Sequence, residues 1–280
     1  MTSLPVLTLI GPGRAGRAFA RSWIDAGGRL ETIFGRTLAG ARSAAEALGT
    51  GKGEILPGGT FAAEVLVIAV SDDGIAEMAG AAARFGTCRL AYHLAGALPA
   101  AVLASLSRGG ASLGSYHPLR TFTGAPGESL RGSFVAVEGE EEACRSALAF
   151  SPALGVTAHR IAAQSKPLYH AGATLAAGGV VSIISLAARA WSLAGIPEEV
   201  SRPALADLAG HAAAGARIHD FAQALTGPIA RRDLSTVRSH CAALAPYPDL
   251  LAAYRALACE TIARTPGIGR EEELRAVLAC

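Results

Sequence analysis

The chain has 280 residues, with 25 Lys and Arg against 23 Asp and Glu for a net charge of +2, and is 51% hydrophobic and 17% charged. That length suits one large or two ordinary domains, and the composition excludes disorder in favour of a sizeable core. So small a net charge advertises neither a nucleic-acid nor a membrane surface, and neither partner is expected. Cys88, Cys144, Cys241, Cys259 and Cys280 are odd in number, far apart and form no C-x-x-C. They argue against a disulfide framework or a zinc ribbon and for a reducing compartment. No basic stretch precedes the first apolar run, so no signal peptide is expected and the protein is placed in the cytoplasm. The basic residues are almost all arginine: Lys52 and Lys166 are the only lysines, and asparagine is absent.

Strand and helix signals alternate through the first half. Val6 to Ile10 is a short β-rich run, and Arg14 to Ala26 is helical with Phe19 and Trp23 on one face. Leu30 to Phe34 is a second strand and Leu38 to Leu48 an Ala-rich helix. Val65 to Val70 is apolar at every residue, as expected of a central parallel strand covered on both faces. Cys88–His93, Ser112–His117, Ser133–Val137 and Val156–Ile161 are weaker strand signals. Beyond Ile161 strands vanish and Ala/Leu-rich helices fill the chain. The expectation is an α/β class: a Rossmann-type parallel-sheet domain over residues 1–160, then an all-α substrate and dimerisation domain over 161–280. Ala171 to Ala188 is 18 residues without a charge, at the lower edge of a membrane-spanning length. Its Gly172, Thr174, Gly178, Gly179, Ser182 and Ser185 make it only mildly apolar, so it is read as a core or dimer-interface helix.

Gly11-Pro12-Gly13-Arg14-Ala15-Gly16 is G-x-G-x-x-G between the first strand and the first helix. Gly11 permits the tight turn, Gly13 lets the backbone approach a pyrophosphate, and Gly16 lets helix and strand pack closely. A site for NAD needs an acid at the end of the second strand, and Gly35-Arg36-Thr37 stands there instead, Glu31 lying too early. Arg36 can pair with a 2′-phosphate and Thr37 can add a hydroxyl, so NADP is expected over NAD. Val70 and Ser71, at the carboxyl end of the central strand, are placed on the nicotinamide side. Asp72 and Asp73 are expected to cap the next helix.

These motifs, with Gly114-Ser115-Tyr116-His117-Pro118-Leu119, Pro167-Leu168-Tyr169-His170-Ala171 and Ala224 to Arg231, resemble a bacterial family that pairs a Rossmann-like NADP domain with a helical domain of unknown function 2520. That family is similar in architecture to pyrroline-5-carboxylate reductases, ketopantoate reductases and β-hydroxyacid dehydrogenases. The resemblance implies an NADP-dependent reductase with a helical dimerisation domain, and no particular substrate. The chain departs from the family at Ala177-Gly178, where a Ser-Asn pair is usual, and at Arg120, where glutamine is usual. A chain without asparagine also cannot hold the Lys-x-x-x-Asn pair of β-hydroxyacid dehydrogenases.

Lys166 opens the second half at or beside a helix N-terminus, where its charge opposes the macrodipole and helix stability does not explain it. His170 follows at i+4 and Thr174 at i+8, read as sharing one face. Lys166 and His170 can polarise a carbonyl and supply the proton that accompanies hydride delivery. His117 ends a later strand and competes with His170 for the proton-donor role. Ser115, Thr174 and Thr226 are the candidate substrate contacts, and the Thr226-Gly227-Pro228 turn resembles a segment of pyrroline-5-carboxylate reductases. His159, His211, His219 and His240 lack metal spacing and are read as structural, so no metal is expected. The leading expectation is an NADP-dependent oxidoreductase acting on a small carbonyl or imine that carries a carboxylate. The alternative is a non-catalytic NADP-binding regulatory protein on the same fold. A homodimer through the C-terminal helices is also expected, bringing Thr226 and the adjacent arginines to a partner's active site.

Overall fold

A computed structural model describes residues 4–267 and 269–279. It divides into two compact units, the first ending at Thr174 and the second beginning at Leu175. The division falls later than residue 160 because Lys166, which opens the next helix, is fully buried against Ser115 and Ala95 of the sheet unit.

The first unit contains strands β1 (Leu7–Ile10), β2 (Leu30–Phe34), β3 (Lys52–Glu54), β4 (Phe61–Ile68), β5 (Gly86–His93), β6 (Ser112–Leu119), β7 (Phe134–Gly139) and β8 (Thr157–Arg160). They form one sheet in the order β3-β2-β1-β4-β5-β6-β7-β8, with every neighbouring pair parallel except β6 and β7. The order over the first six strands is that of the doubly wound Rossmann fold, with its switch point between β1 and β4. Helices α1 (Arg14–Asp25), α2 (Leu38–Leu48), α3 (Ile75–Phe85) and α4 (Glu141–Phe150) connect the strands, together with a 3-10 segment Ala100–Gly109. Helix α5 (Lys166–Thr174) ends the unit.

Val65, Leu66, Val67 and Ile68 of β4 are all fully buried because the sheet is covered on both faces. The side chains alternate, as a strand requires. Val65 and Val67 join Leu7, Leu9, Phe19 and Trp23 on one side, where the aromatic rings of Phe19, Trp23, Tyr92, Tyr116 and Phe150 stack and edge into one another. Leu66 and Ile68 join Ile75, Ala79, Leu103 and Leu106 on the other side.

The second unit is helical: a π-helical segment Leu175–Gly179, then α6 (Val180–Leu193), α7 (Glu198–Ile218), α8 (Phe221–Ala224), α9 (Gly227–Ala230), α10 (Leu234–Leu244), α11 (Pro248–Arg264) and α12 (Glu271–Leu278). Its core comprises Ile229, Leu234, Val237, Ala258, Ile262, Leu274 and Leu278. The apolar stretch Ala171–Ala188 is therefore not a core helix of this chain. It is divided among α5, the π segment and α6; Leu175 is 73% exposed and Val181 67%, and Ala188 is the one buried residue of α6. The helical run Ala163–Leu193 contains an 18-residue window of mean hydropathy 1.8, long and apolar enough by length and composition to cross a membrane. Lys166 and Tyr169, at the start of the run and outside its most apolar part, hydrogen-bond to the sheet unit.

Arg232 adopts a φ of 57° and is buried, donating to the Ile229 carbonyl and Thr265 Oγ1 at 2.9 Å each and to the Thr265 carbonyl. It fastens the C-terminus of α11, so it is not one of the arginines available for a partner's active site. Cys88, Cys144 and Cys241 are free thiols.

Candidate active site

The first part of the site is the glycine loop at the switch point. Gly11 has a φ of +90°, and a Cβ there would stand 2.6 Å from the Ala69 carbonyl oxygen and 2.9 Å from Val70 Cγ1. Val70 is thus the wall against which the turn is pressed. A Cβ on Gly16 would collide with the Gly11 carbonyl, so α1 reaches the strand only through glycine. Gly13 is the N-cap of α1, without a side-chain cap, and open space lies where its Cβ would stand. The free N–H groups of the first turn are therefore not covered beside Gly13, which fits the pyrophosphate of a dinucleotide. Pro12 and Ala15 flank it, half-buried. Arg14 is exposed and donates to the Phe122 carbonyl at 3.3 Å, tying a loop to α1.

At the end of β2, Arg36 is exposed and forms no ion pair among the described residues, whereas Glu31 is taken by Arg29 at 2.8 Å. Thr37 N-caps α2, its Oγ1 accepting from Gly40 N at 3.1 Å, which leaves its hydroxyl proton to donate. Ser71 is exposed at the carboxyl end of β4. Asp72 and Asp73 make no capping bond among the described residues; they lie in the first turn of a short 3-10 helix, where negative charge suits the helix N-terminus.

The second part gathers on α5 and the ends of β5 and β6. Lys166 Nζ donates to Ser115 Oγ at 2.5 Å and to the Ala95 carbonyl at 3.4 Å, and both Lys166 and Ser115 are fully buried. Burial lowers the Lys166 amine below its ordinary value, while Glu138 and Asp72 oppose the shift. His117 Nδ1 lies 2.8 Å from the Tyr169 hydroxyl, and its ring meets that of His170 edge-on with centroids 5.8 Å apart. Gly96 backs this pair: a Cβ there would collide with His170 and stand 2.9 Å from His117 Nε2. Burial, assisted by Lys166 and His170, pushes His117 down to about 4, and burial likewise holds the Tyr169 phenol above its usual range. The half-buried His117, Tyr169 and His170 are the outward members of the cluster, and Lys166 and Ser115 lie behind them.

The structure therefore brings Lys166, His170, His117 and Ser115 together and leaves two candidates out. Thr174 is exposed and its hydroxyl donates back to the His170 carbonyl at 3.0 Å. Thr226 is exposed in the second unit, at the N-cap of α9, without a side-chain capping bond. His159, His211 and His219 are surface residues, and His240 pairs with Tyr254 at 3.0 Å. Among the described residues no group of three acids, histidines or cysteines could hold a metal. Tyr169, Gly96, His93 and Glu138 belong to the cluster and were not singled out from the sequence. The signal for two of them is a polar residue closing an apolar strand: His93 after Leu90-Ala91-Tyr92, and Glu138 after Val135-Ala136-Val137.

Residues 133–261 match the family model of domain of unknown function 2520, in agreement with the resemblance carried by the motifs. Among solved structures the chain is similar to protein TM1727 from Thermotoga maritima, with 21% identity, a TM-score of 0.69 and 98% of each chain covered. It is similar to a pyrroline-5-carboxylate reductase from Coxiella burnetii, with 16% identity, a TM-score of 0.61, and 96% of this chain and 97% of that one covered. A reductive aminase from Aspergillus terreus, solved with NADPH and ethyl-5-oxohexanoate, shares 17% identity at a TM-score of 0.57 over 98% of each chain. No curated protein matches the sequence. At these identities the likeness is one of fold: a Rossmann-type sheet followed by a helical region.

The buried histidines make stability depend on pH. His93 and His117 are both held down to about 4 from an ordinary 6.5, so between those values the unfolded chain binds more protons than the folded one. Their contribution is complete above about 6.5 and is lost as the pH falls toward about 4. Denaturant titrations at stepped pH should show stability falling across this window, and His117→Gln should make the fall shallower. A profile unchanged by that substitution would contradict a neutral, buried imidazole at this position.

Proposed function

We propose that the protein is an NADP-dependent oxidoreductase that reduces a small carbonyl or imine compound bearing a carboxylate. The observation that carries the reading is one sheet unit holding, at the carboxyl edge of its strands, both a glycine loop at the switch point and a cluster of lysine, serine, tyrosine and two histidines. The reductases of similar fold, one of them solved with NADPH, support it.

In this reading the bound nicotinamide supplies the hydride. The α1 N-terminus and Gly13 hold the pyrophosphate, Arg36 and Thr37 hold the 2′-phosphate, and Val70 and Ser71 flank the nicotinamide side. The reduced carbon leaves its oxygen or nitrogen needing one proton. Because Lys166 and Ser115 are covered, Tyr169 and His170 are the half-buried groups that can touch a substrate and deliver it, and neutral His117, bonded to the Tyr169 hydroxyl, holds that donor in place. The positive charge of Lys166, just behind them, favours an anionic substrate and stabilises charge that develops on the acceptor atom. The covering of Lys166 and Ser115 is also what favours the second reading, a non-catalytic NADP-binding regulator.

The test is consumption of NADPH against a panel of 2-oxoacids, ketopantoate among them, and cyclic imino acids. Turnover of one member is expected, reduced at least about tenfold by His117→Gln, on the order of 1.4 kcal/mol of transition-state stabilisation. NADPH should bind more tightly than NADH, and Arg36→Ala should remove about 1.4 kcal/mol or more of that preference. Binding without turnover of any member would leave the regulatory reading standing, and equal affinities for the two cofactors would overturn the role of Arg36.

We also propose that the protein is a homodimer built through α6 and α7. Val181, Ile183, Leu193, Val200 and Leu208 of these helices are exposed, and a groove of about 400 Å3 between them is lined by Val181, Ile184, Ala188 and Ala206 together with Ser185, Arg189, Ser192, Glu198 and Arg202. So many large apolar side chains exposed on two neighbouring helices are unfavourable in water unless something covers them. Light scattering at micromolar concentration should give a mass near twice 28.3 kDa, and Val181→Asp should shift it toward the monomer. A monomer in the unsubstituted protein would refute the interface.

A further inference from the structure

His93, Ser115 and Glu138 stand in register across β5, β6 and β7, His93 beside Ser115 and Ser115 beside Glu138. They share the sheet face that carries Leu66, Ile68, Ala91 and Leu113, and are 0%, 0% and 6% exposed. A polar row buried in an apolar face is costly unless its members are bonded. His93 Nδ1 accepts from Ala95 N at 3.1 Å, which places the ring proton on Nε2, 3.2 Å from the Pro99 carbonyl. Glu138 Oε2 accepts from Ala100 N at 2.7 Å. The two side chains thereby grip both ends of the turn 95–100. That turn offers the Ala95 carbonyl to Lys166 and sets Gly96 against His117 and His170.

We infer that Glu138 is a positioning residue of this site: it is the buried counter-charge of the Lys166 ammonium, and it fixes the turn on which that ammonium rests. The inference rests on the reading of Lys166 as the charge behind the reductive site. Among the described residues Lys166 forms no ion pair, so its charge must be supported from a distance. The groups around it are Asp72 after β4, His93 on β5, His117 on β6, Glu138 on β7, and Tyr169 and His170 on its own helix. The histidines at 93 and 117 are neutral and cannot balance it, and Asp72 is exposed to solvent. Glu138 is the buried carboxylate of the set, one strand from the serine that touches the amine.

Because the chain has two lysines, a protein labelled with 13C at lysine Cε gives two signals, and exposed Lys52 is an internal reference. Glu138→Gln keeps an oxygen for Ala100 N and removes only the charge. It should lower the Lys166 titration midpoint by about one pH unit and leave Lys52 unmoved. An unmoved Lys166 midpoint overturns the pairing. Should that variant fail to fold, adding Lys166→Gln to it should restore a folded protein, since no ammonium is then left in the interior without its counter-charge. A double variant that still fails to fold overturns the pairing. No substrate or cofactor enters either measurement. Absence of NADPH turnover would therefore overturn the reductase reading alone, and an unmoved midpoint alongside turnover would overturn the pairing alone.

Discussion

The bond from Lys166 Nζ to Ser115 Oγ organises the site, because it fastens the first turn of α5 to the carboxyl edge of the sheet. Once residue 166 is seated, helical geometry sets the positions of its neighbours. Residues three and four further on lie over the same turn. Tyr169 accordingly meets His117, and His170 comes to rest beside His117 and Gly96. The seat is costly, since an ammonium is taken out of water, and the rest of the neighbourhood offsets that cost. Ala95 supplies a second acceptor, while His93 and Glu138 hold the turn that presents it. Burial keeps the neighbouring histidines His93 and His117 neutral, and the Lys166 charge adds to that effect.

The same bond explains why the chain changes character near residue 160 while the structural unit runs to Thr174. Composition records where strands give way to helices. It does not record which helix a buried side chain anchors. Helix α5 is helical by sequence and belongs to the sheet by contact, so its Lys166, Tyr169 and His170 complete a site whose other members lie on β5, β6, β7 and the turn after β5.

What was legible in the sequence was local. The glycine loop, the apolar run from Val65 that ends β4 and the missing acid at the end of β2 each depend on a few adjacent residues, and the fold places them as expected. Lys166, His117 and His170 were legible by residue type and by their positions at element ends. Thr174 was misplaced because eight residues turn an α-helix about 80° past two full turns, far enough to leave the face of Lys166. His93 and Glu138 were missed because the row they form exists only through register, and the antiparallel return of β7 onto β6 is not a local signal. The stretch Ala171–Ala188 was read as a core or dimer-interface helix, and the structure removes only the first of these. An uncharged sequence reports that a surface avoids water, and not whether the chain's own core does the covering.

A chain with 23 arginines and only two lysines keeps one of those lysines at this position, and the geometry supplies a reason. The seat offers two acceptors, Ser115 Oγ and the Ala95 carbonyl, at the end of a fully buried side chain. An ammonium has three donors on a rotating tip and can turn them to suit. A guanidinium has five in a fixed plane, and most would be left unbonded in the interior. Nor could a guanidinium give up its proton, whereas burial lowers the amine toward the range in which it can. A buried site that must adjust its charge therefore has reason to retain lysine. The balance between burial, which favours the neutral amine, and Glu138, which favours the ammonium, then decides how much charge the two histidines and the tyrosine feel at the surface of the site.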